Sequence, residues 1–329
     1  MVSKQRNTEF RIIANLLLFG VVAFLLSGAL LFVAANGPSS VRKILVGYGF
    51  DPMPCPGWVQ REFEASYKDG FDLLFLGSSH IQRSFDPRFF DALGIKSFTF
   101  GTPAQTPLNT YFLLESLDEK LNAKRVVLEV FPNLFKVSGA ESFIDLYGSM
   151  PELATSGLRH AWATRDKRSF IGLGLKELRV ANFVASSSSL VDSQITRGYL
   201  DFKHSRSTDF SQFVPGDLDA TEQLKYFDKV LQTLQKRAIK TIIIITPLAN
   251  GLIECMPDYH TDIAEINKVC ERYGLEVVDF NRIEQFDDSL FWDVNHLNKR
   301  GVEKFLPLFY SEMLRRQSLP SSYDDGHPQ

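Results

Sequence analysis

One long apolar segment constrains this chain more than any other feature. Ile12–Ala35 covers 24 residues, of which 20 are apolar, and no charged residue occurs between Arg11 and Arg42. As a helix, a segment of this length extends about 36 Å at about 1.5 Å per residue, which exceeds the roughly 30 Å hydrocarbon core of a bilayer. The segment therefore predicts a membrane-spanning helix that precedes a separate globular body.

The basic residues around this segment predict its orientation. Lys4, Arg6 and Arg11 precede it, and Lys and Arg concentrate on the cytoplasmic side of membrane helices. We therefore expect a single-pass anchor in the inner (cytoplasmic) membrane, with the body on the periplasmic or other extracytoplasmic side. Arg42 and Lys43 on the far side weaken this prediction without reversing it.

A cleaved signal peptide is the alternative to an anchor. Val33, Ala34 and Ala35 can serve as a cleavage site for a signal peptidase. The apolar run is, however, longer than the 7 to about 15 residues usual for such a peptide, so the anchor is favoured. Both interpretations export the body.

The rest of the chain divides by composition. Three prolines between Asp51 and Gly57 exclude regular structure in a connector, and the polar end of the chain lacks periodicity. We predict a cytoplasmic N-terminus at 1–11, an anchor at 12–35, a linker at 36–60, one domain at 61–316 and a flexible tail at 317–329.

Five short apolar runs in the body have the length of β-strands. Two of them, around Val126 and around Ile243, show no alternation, as expected for strands covered on both faces. Stretches with apolar residues at helical spacing lie between the later runs, and Pro307 is expected to kink the last one. The alternation predicts an α/β fold with a doubly wound, parallel, five-stranded sheet. The predicted strands are Asp72–Leu76, Ser97–Phe100, Arg125–Phe131, Thr241–Thr246 and Leu275–Phe280.

The third and fourth strands are separated by an insertion of about 80 residues at about 133–216. We interpret it as helical and loop cover over one end of the sheet. It is either a source of substrate specificity or structural padding, and the residues do not distinguish the two.

Charge and cysteine content exclude several classes of protein. The chain has 36 Lys and Arg against 39 Asp and Glu, so it lacks the basic excess of a nucleic-acid-binding domain. Cys55, Cys255 and Cys270 show no CxxC spacing, and neither a metal site nor a cofactor site is predicted. Cys270 lies on an apolar helix face and is expected to be a buried thiol, while a Cys55–Cys255 disulfide is left open.

The first chemical motif ends the first strand. Gly77, Ser78, Ser79 and His80 occupy a strand-to-helix turn, where the carboxyl ends of parallel strands bind ligands. Gly77 permits the tight turn. An exposed serine there has backbone N–H groups nearby that can bind an oxyanion. The alternative role for either serine is to cap the following helix.

The second motif follows the last strand. Asp293 stands three residues before His296, so its carboxylate can bind Nδ1 of the imidazole and leave Nε2 to take a proton from a serine. A solvated loop or helix cap is the alternative role. With a serine after the first strand of the same sheet, this motif predicts nucleophilic catalysis.

These two motifs resemble the first and last conserved blocks of the SGNH/GDSL hydrolase superfamily. The resemblance implies a flavodoxin-like sheet, Ser79 as the nucleophile, and Asp293 and His296 as its triad partners. It also implies an oxyanion hole formed by Ser79, Gly101 after the second strand and Asn133 after the third. The family has Gly-x-Asn-Asp where this chain has Phe131-Pro132-Asn133, so turn formation is the alternative role for Asn133, as it is for Gly101.

Within that superfamily the chain looks most like the membrane-anchored, exported branch. The anchor, Gly-Ser-Ser-His in place of Gly-Asp-Ser-Leu, and the large insertion suggest it. The resemblance implies an esterase or O-acyltransferase that acts on acyl esters, commonly acetyl, of cell-envelope or exported polysaccharide, beside a partner of the MBOAT type. The alternative is a non-catalytic scaffold or glycan-binding subunit of such an assembly.

Some remaining residues are assigned structural roles. His80 and His260 can approach the site, but we expect them to be solvated or to cap helices. Trp58, Trp162 and Trp292 can stack on sugar rings, but core burial is expected for each.

Overall fold

A computed structural model describes residues 2–37, 39–46, 63, 70–117, 120–149, 156–177, 195–201 and 209–316. The linker prolines, Cys55, Trp58, much of the insertion and the predicted tail lie outside these residues.

Five strands of the described body form one sheet. They are β1 (Phe71–Gly77), β2 (Ser97–Gly101), β3 (Ala123–Glu129), β6 (Lys240–Ile245) and β7 (Val277–Asp279). Their order is β2-β1-β3-β6-β7, and every neighbouring pair is parallel. This confirms the predicted α/β fold, and the observed strands overlap all five predicted runs. The main difference is that β3 begins two residues before the predicted strand and ends two residues before its predicted end.

The helices of the body connect these strands. Their apolar faces bury against the sheet, and an aromatic cluster there includes Phe75, Phe85 and Phe309, with ring centroids 4.1 to 6.1 Å apart. The last helix continues through Pro307 without interruption. The helices between and after the strands are α3 (Ser79–Ser84), α4 (Pro87–Asp91), α5 (Pro107–Leu117), α9 (Thr221–Lys236), α10 (Asn250–Glu254), α11 (Tyr259–Glu271) and α12 (Lys299–Arg315).

The insertion forms three helices and a short hairpin among its described residues: α6 (Ala140–Ser149), α7 (Gly157–Thr164), α8 (Lys167–Glu177), β4 (Ile195–Thr196) and β5 (Tyr199–Leu200). The hairpin lies against the outer edge of β2, where the Thr99 N–H donates to the Arg197 carbonyl at 2.9 Å. The insertion therefore covers an exposed sheet edge as well as one end of the sheet, which protects that edge from pairing with another chain.

The N-terminal segment is one continuous helix, α1 (Val2–Asn36). Its Arg11–Asn36 portion is long and apolar enough to cross a membrane. The most apolar 18-residue window within it has a mean hydropathy of 2.8 and is not buried in the body. Ala34 and Ala35 near its end are buried. A second helix, α2 (Ser39–Val46), lies within the predicted linker.

Candidate active site

The site lies where the strand order reverses. β1 has β2 on one side and β3 on the other, so the chain leaves their carboxyl ends in opposite directions and a crevice opens between them. Residues that directly follow β1 and β3 therefore meet at one end of the sheet.

The two serines after β1 have different roles. Ser78 is the N-cap of α3, and its Oγ accepts the His80 N–H at 3.2 Å. Ser79 is the first residue of the helix. The capping role that was an alternative for either serine thus falls to Ser78, which leaves the Ser79 hydroxyl for another partner.

Two glycines allow the ends of β1 and β2 to pack closely against the serine turn. Gly77 has φ +153°, and a Cβ built on it would lie 2.7 Å from Oε2 of Glu129. A Cβ on Gly101, which pairs with Gly77 in the sheet, would lie 2.5 Å from the Ser78 carbonyl oxygen. Any larger residue at Gly101 therefore displaces the turn that carries Ser79.

The loop after β7 holds the carboxylate and the imidazole together. Phe291 and Leu297 form an antiparallel bridge, and the Trp292 N–H donates to the His296 carbonyl at 2.7 Å. Inside this loop, Oδ1 of Asp293 accepts the His296 backbone N–H at 2.9 Å. Nδ1 of His296 lies 2.8 and 2.9 Å from the two carboxylate oxygens.

The two motifs meet across the crevice. Oγ of Ser79 lies 2.7 Å from Nε2 of His296, although 217 residues separate them in the chain. When Nδ1–H donates to Asp293, Nε2 is left unprotonated and can accept the Ser79 O–H. The structure thus brings together the three residues that the sequence selected.

Burial and the neighbouring charges set the protonation states of His296 and Asp293. Desolvation, reinforced by the positive charge of Arg83 and opposed by Asp293, lowers the pKa of His296 to about 3. Burial alone would raise the pKa of Asp293, but the hydrogen bond and charge of His296 outweigh it and lower that pKa to about 2. At neutral pH the pair is therefore a neutral imidazole beside a carboxylate, as a general base requires.

Arg83 is a site residue that the sequence interpretation missed. Its Nη1 lies 2.8 Å from Nδ1 of His296 and 3.5 Å from Oδ2 of Asp293, and its guanidinium lies 4.9 Å from the ring centroid of Trp292. Arg83 follows Ser79 by four residues, so both side chains lie on one face of α3. This four-residue spacing was the sequence signal that could have identified Arg83 as a site residue.

The buried side chain of Glu129 holds the backbone of the serine turn. Glu129 ends β3, is 5% exposed, and its Oε2 accepts the Ser78 N–H at 3.0 Å. Its Oε1 lies 3.4 Å from Nδ1 of His80, whose ring is 5.4 Å from that of His296. His80 is only 2% exposed, so the prediction that it is solvated or caps a helix was wrong. The sequence signal for Glu129 was an acidic residue with apolar neighbours on both sides, Leu128 and Val130, inside a predicted strand.

The three predicted oxyanion-hole residues differ in placement. Ser79 and Asn133 line the cleft. Oδ1 of Asn133 accepts the Gly216 N–H at 2.7 Å, so its amide Nδ2 is the group available to donate. Gly101 lies at the end of β2 behind Ser78, and Pro103 and Ala104 of the following turn line the cleft instead.

The cleft in front of Ser79 encloses about 660 Å³. Much of its lining comes from the insertion, including the segment that leads into α6, Arg168 at the start of α8, and Phe213 with Val214. The guanidinium of Arg168 donates to both carboxylate oxygens of Asp166. In the part of the chain that is described, no group of three or more His, Cys, Asp or Glu side chains is placed to hold a metal ion.

Other side-chain predictions have mixed outcomes. Trp162 is 76% exposed, so the expectation of core burial was wrong for it. Trp292 is half-buried beside the site. Cys270 is a buried thiol as expected, and Cys255 is a free thiol. Cys55, the other member of the disulfide that the sequence left open, lies outside the described residues.

Comparisons with known proteins find similarity in structure alone. No protein-family model and no curated protein sequence matches the chain. A candidate acylhydrolase from Bacteroides fragilis aligns at a TM-score of 0.42 and 10% identity, over 80% of this chain and 99% of its own. A GDSL-like lipase from Bacteroides thetaiotaomicron aligns at 0.41 and 9%, over 79% and 98%. A family two carbohydrate esterase from Clostridium thermocellum, solved with cellohexaose, aligns at 0.37 and 11%, over 75% and 65%.

Proposed function

We propose that the chain is a serine-dependent esterase or O-acyltransferase with Ser79 as nucleophile, His296 as general base and Asp293 as its partner. The observation that carries this proposal is the 2.7 Å distance between Oγ of Ser79 and Nε2 of His296 at the open end of the sheet. A serine that only capped a helix has no need of a buried imidazole. Here the cap is supplied by Ser78.

The first half-reaction forms an acyl-enzyme. Nε2 of His296 takes the proton from Oγ of Ser79 as Oγ attacks the ester carbonyl carbon. Asp293 stabilises the resulting imidazolium through Nδ1–H. The tetrahedral intermediate collapses when His296 returns the proton to the leaving alkoxide, which departs as an alcohol and leaves the acyl group on Ser79.

The oxyanion is stabilised by donors around the serine. We assign this role to the Ser79 N–H, to Nδ2 of Asn133 and to a backbone amide of the turn that begins at Gly101. Such donors lower the barrier because they are fixed before charge develops. In the second half-reaction, His296 deprotonates water for hydrolysis, or an acceptor hydroxyl for acyl transfer, as that oxygen attacks the carbonyl carbon of the acyl-enzyme. The bond from this carbon to Oγ of Ser79 then breaks, His296 returns the proton to Oγ, and the acid or the new ester leaves.

The substrate class proposed is an acyl ester, commonly acetyl, on a cell-envelope or exported polysaccharide. A volume of about 660 Å³ lies within the usual 300 to about 1,000 Å³ range of ligand sites, and the lining includes charged and amide side chains suited to sugar hydroxyls. The proposal includes α1 as a single-pass anchor, the body on the extracytoplasmic side, and an MBOAT-type membrane acyltransferase as partner.

Hydrolysis and transfer differ only in the acceptor, so one assay separates them. The full chain in detergent is incubated with an acetyl ester, with and without a sugar acceptor, and released acetate and acetylated sugar are measured. Activity that the Ser79→Ala variant retains would overturn the assignment. Acetylated sugar at the expense of acetate identifies a transferase.

The alternative is a non-catalytic scaffold or glycan-binding subunit built on the same fold. It would bind the glycan in the cleft without reacting with a fluorophosphonate. The hydrogen-bonded Ser79–His296–Asp293 arrangement favours the enzyme, because binding alone does not require it.

A further inference from the structure

An exposed apolar strip runs along α7 and α8. It consists of Leu158, Trp162 and Phe170, which are 68%, 76% and 39% exposed. Leu158 and Trp162 are one turn apart on α7, and the rings of Trp162 and Phe170 meet edge to face at 6.2 Å. Single exposed apolar residues are ordinary on protein surfaces, but a contiguous strip that includes a tryptophan indicates an interaction site.

The strip leads directly to the end of α1. Phe170 and Gly174 are four residues apart and therefore share a face of α8. A Cβ built on Gly174 would lie 3.3 Å from Cδ1 of Leu31. The apolar strip and the final turns of α1 are thus neighbours on one surface.

The length of α1 indicates the depth, relative to the bilayer, at which Leu31 approaches Gly174. The apolar portion Arg11–Asn36 has 26 residues, which extend about 39 Å at about 1.5 Å per residue. Since the hydrocarbon core takes roughly 30 Å, about six residues project into the headgroup region. With the charged Arg11 placed at the first interface, the excess length falls at the end that carries Leu31 and the buried Ala34 and Ala35.

Basic residues flank the strip in the sequence. Arg159, Arg165 and Lys167 are exposed, and Arg159 also lies 3.6 Å from Glu115. Anionic lipid headgroups attract such residues, and tryptophan concentrates at the level of the headgroups.

We propose that the Leu158–Trp162–Phe170 strip docks onto the membrane surface beside the end of α1. This proposal rests on α1 spanning the bilayer and does not depend on the chemistry of Ser79. Arg168, which lines the cleft, lies on α8 six residues before Gly174, about 9 Å along the helix. The docked body therefore holds its cleft close to the bilayer and receives acyl esters presented at the membrane surface.

Tryptophan quenching tests the docking. The full chain is placed in vesicles of phosphatidylcholine and phosphatidylglycerol whose acyl chains are brominated near the headgroup. We expect the bromines to quench a component of the fluorescence that Trp162→Phe removes and that the matched Trp292→Phe variant retains. An equal quenched fraction in the wild type and in Trp162→Phe would overturn the proposal.

Two further measurements distinguish membrane docking from catalysis and from self-association. Ser79→Ala should leave the quenching unchanged, so loss of esterase activity cannot be mistaken for loss of docking. If the detergent-solubilised chain is a dimer that Trp162→Glu converts to a monomer, a second copy covers the strip and the proposal is wrong.

Discussion

Nη1 of Arg83 lies 2.8 Å from Nδ1 of His296, the same ring nitrogen that Asp293 contacts. A guanidinium cannot accept a hydrogen bond, so Arg83 and a protonated imidazole repel each other. Arg83 therefore favours the neutral imidazole, whereas Asp293 favours the imidazolium. The two neighbours thus act in opposite directions on the pKa of His296, which burial lowers most.

Replacement of Arg83 should move the pH dependence of the reaction. Catalysis requires neutral His296, so kcat/KM falls as the pH drops through the pKa of His296, which is lowered to about 3 in the folded chain. Arg83→Gln removes a positive charge that lowers this pKa, and we expect the acid limb of kcat/KM to rise by about one pH unit or more. A pH–rate profile with an unshifted acid limb would contradict this role.

Glu129 is expected to position the serine turn without touching substrate. Glu129→Gln keeps an oxygen that can accept the Ser78 N–H, whereas Glu129→Leu leaves that buried N–H without an acceptor, at a cost of about 1 to 3 kcal/mol. We expect kcat to fall at least tenfold in the Leu variant, with KM nearly constant and substantial rescue by Gln. If both variants lose only thermal stability and keep the wild-type kcat, Glu129 has a structural role alone.

Asn133 offers a matched pair of variants for the oxyanion hole. Asn133→Asp keeps the acceptor for the Gly216 N–H but loses the amide donor, while Asn133→Ala loses both. Both should lower kcat about 10²- to 10³-fold, and only Ala should also reduce the free energy of unfolding, by about 1 kcal/mol. An Asp variant with normal kcat would exclude the amide from the oxyanion hole.

His160 should make the body sensitive to acid. It is fully buried, its Nε2 lies 3.0 Å from the Asn109 amide, and burial lowers its pKa to about 3. The unfolded chain thus binds a proton at higher pH than the folded one. The stability that neutral His160 contributes is complete above about pH 6.5, and it is lost progressively as the pH falls toward 3.

Chemical denaturation of wild type and His160→Gln between pH 7 and 4 measures this contribution. Gln keeps an acceptor for Asn109 and does not titrate, so the variant should lose less stability over this range, by up to about 1.4 kcal/mol per pH unit. His296 contributes a similar dependence, so the slope should decrease without vanishing. Identical slopes in both proteins would contradict the assignment.

The fold was accessible from sequence because its signals are local. Uninterrupted apolar runs such as Ile242–Ile245 indicate buried parallel strands, and the helical spacing around Phe305 indicates the packing face of α12. The β4–β5 hairpin was not anticipated, because each of its strands has only two residues. Pro307 lies inside α12, which continues on both sides of it.

The site could be predicted only in part from the sequence, because some of its residues are not marked by a local motif. Ser79, Asp293 and His296 stand in short motifs with recognisable spacing, whereas Arg83 and Glu129 matter through contacts between separate segments. His80 was misassigned because the residues next to it in the sequence do not indicate that the Glu129 carboxylate of β3 lies 3.4 Å from its ring. Trp162 was misassigned because an exposed and a buried tryptophan look alike in sequence.

Fluorophosphonate labelling of the full chain tests the central claim most directly, with the adduct located by peptide mass spectrometry. We expect a single modified serine at Ser79, no labelling in Ser79→Ala or His296→Ala, and retained labelling in Ser78→Ala, in which loss of the helix cap costs about 1 kcal/mol. An adduct at another serine, or a folded wild-type chain that does not react, would contradict the assignment of Ser79 as the nucleophile.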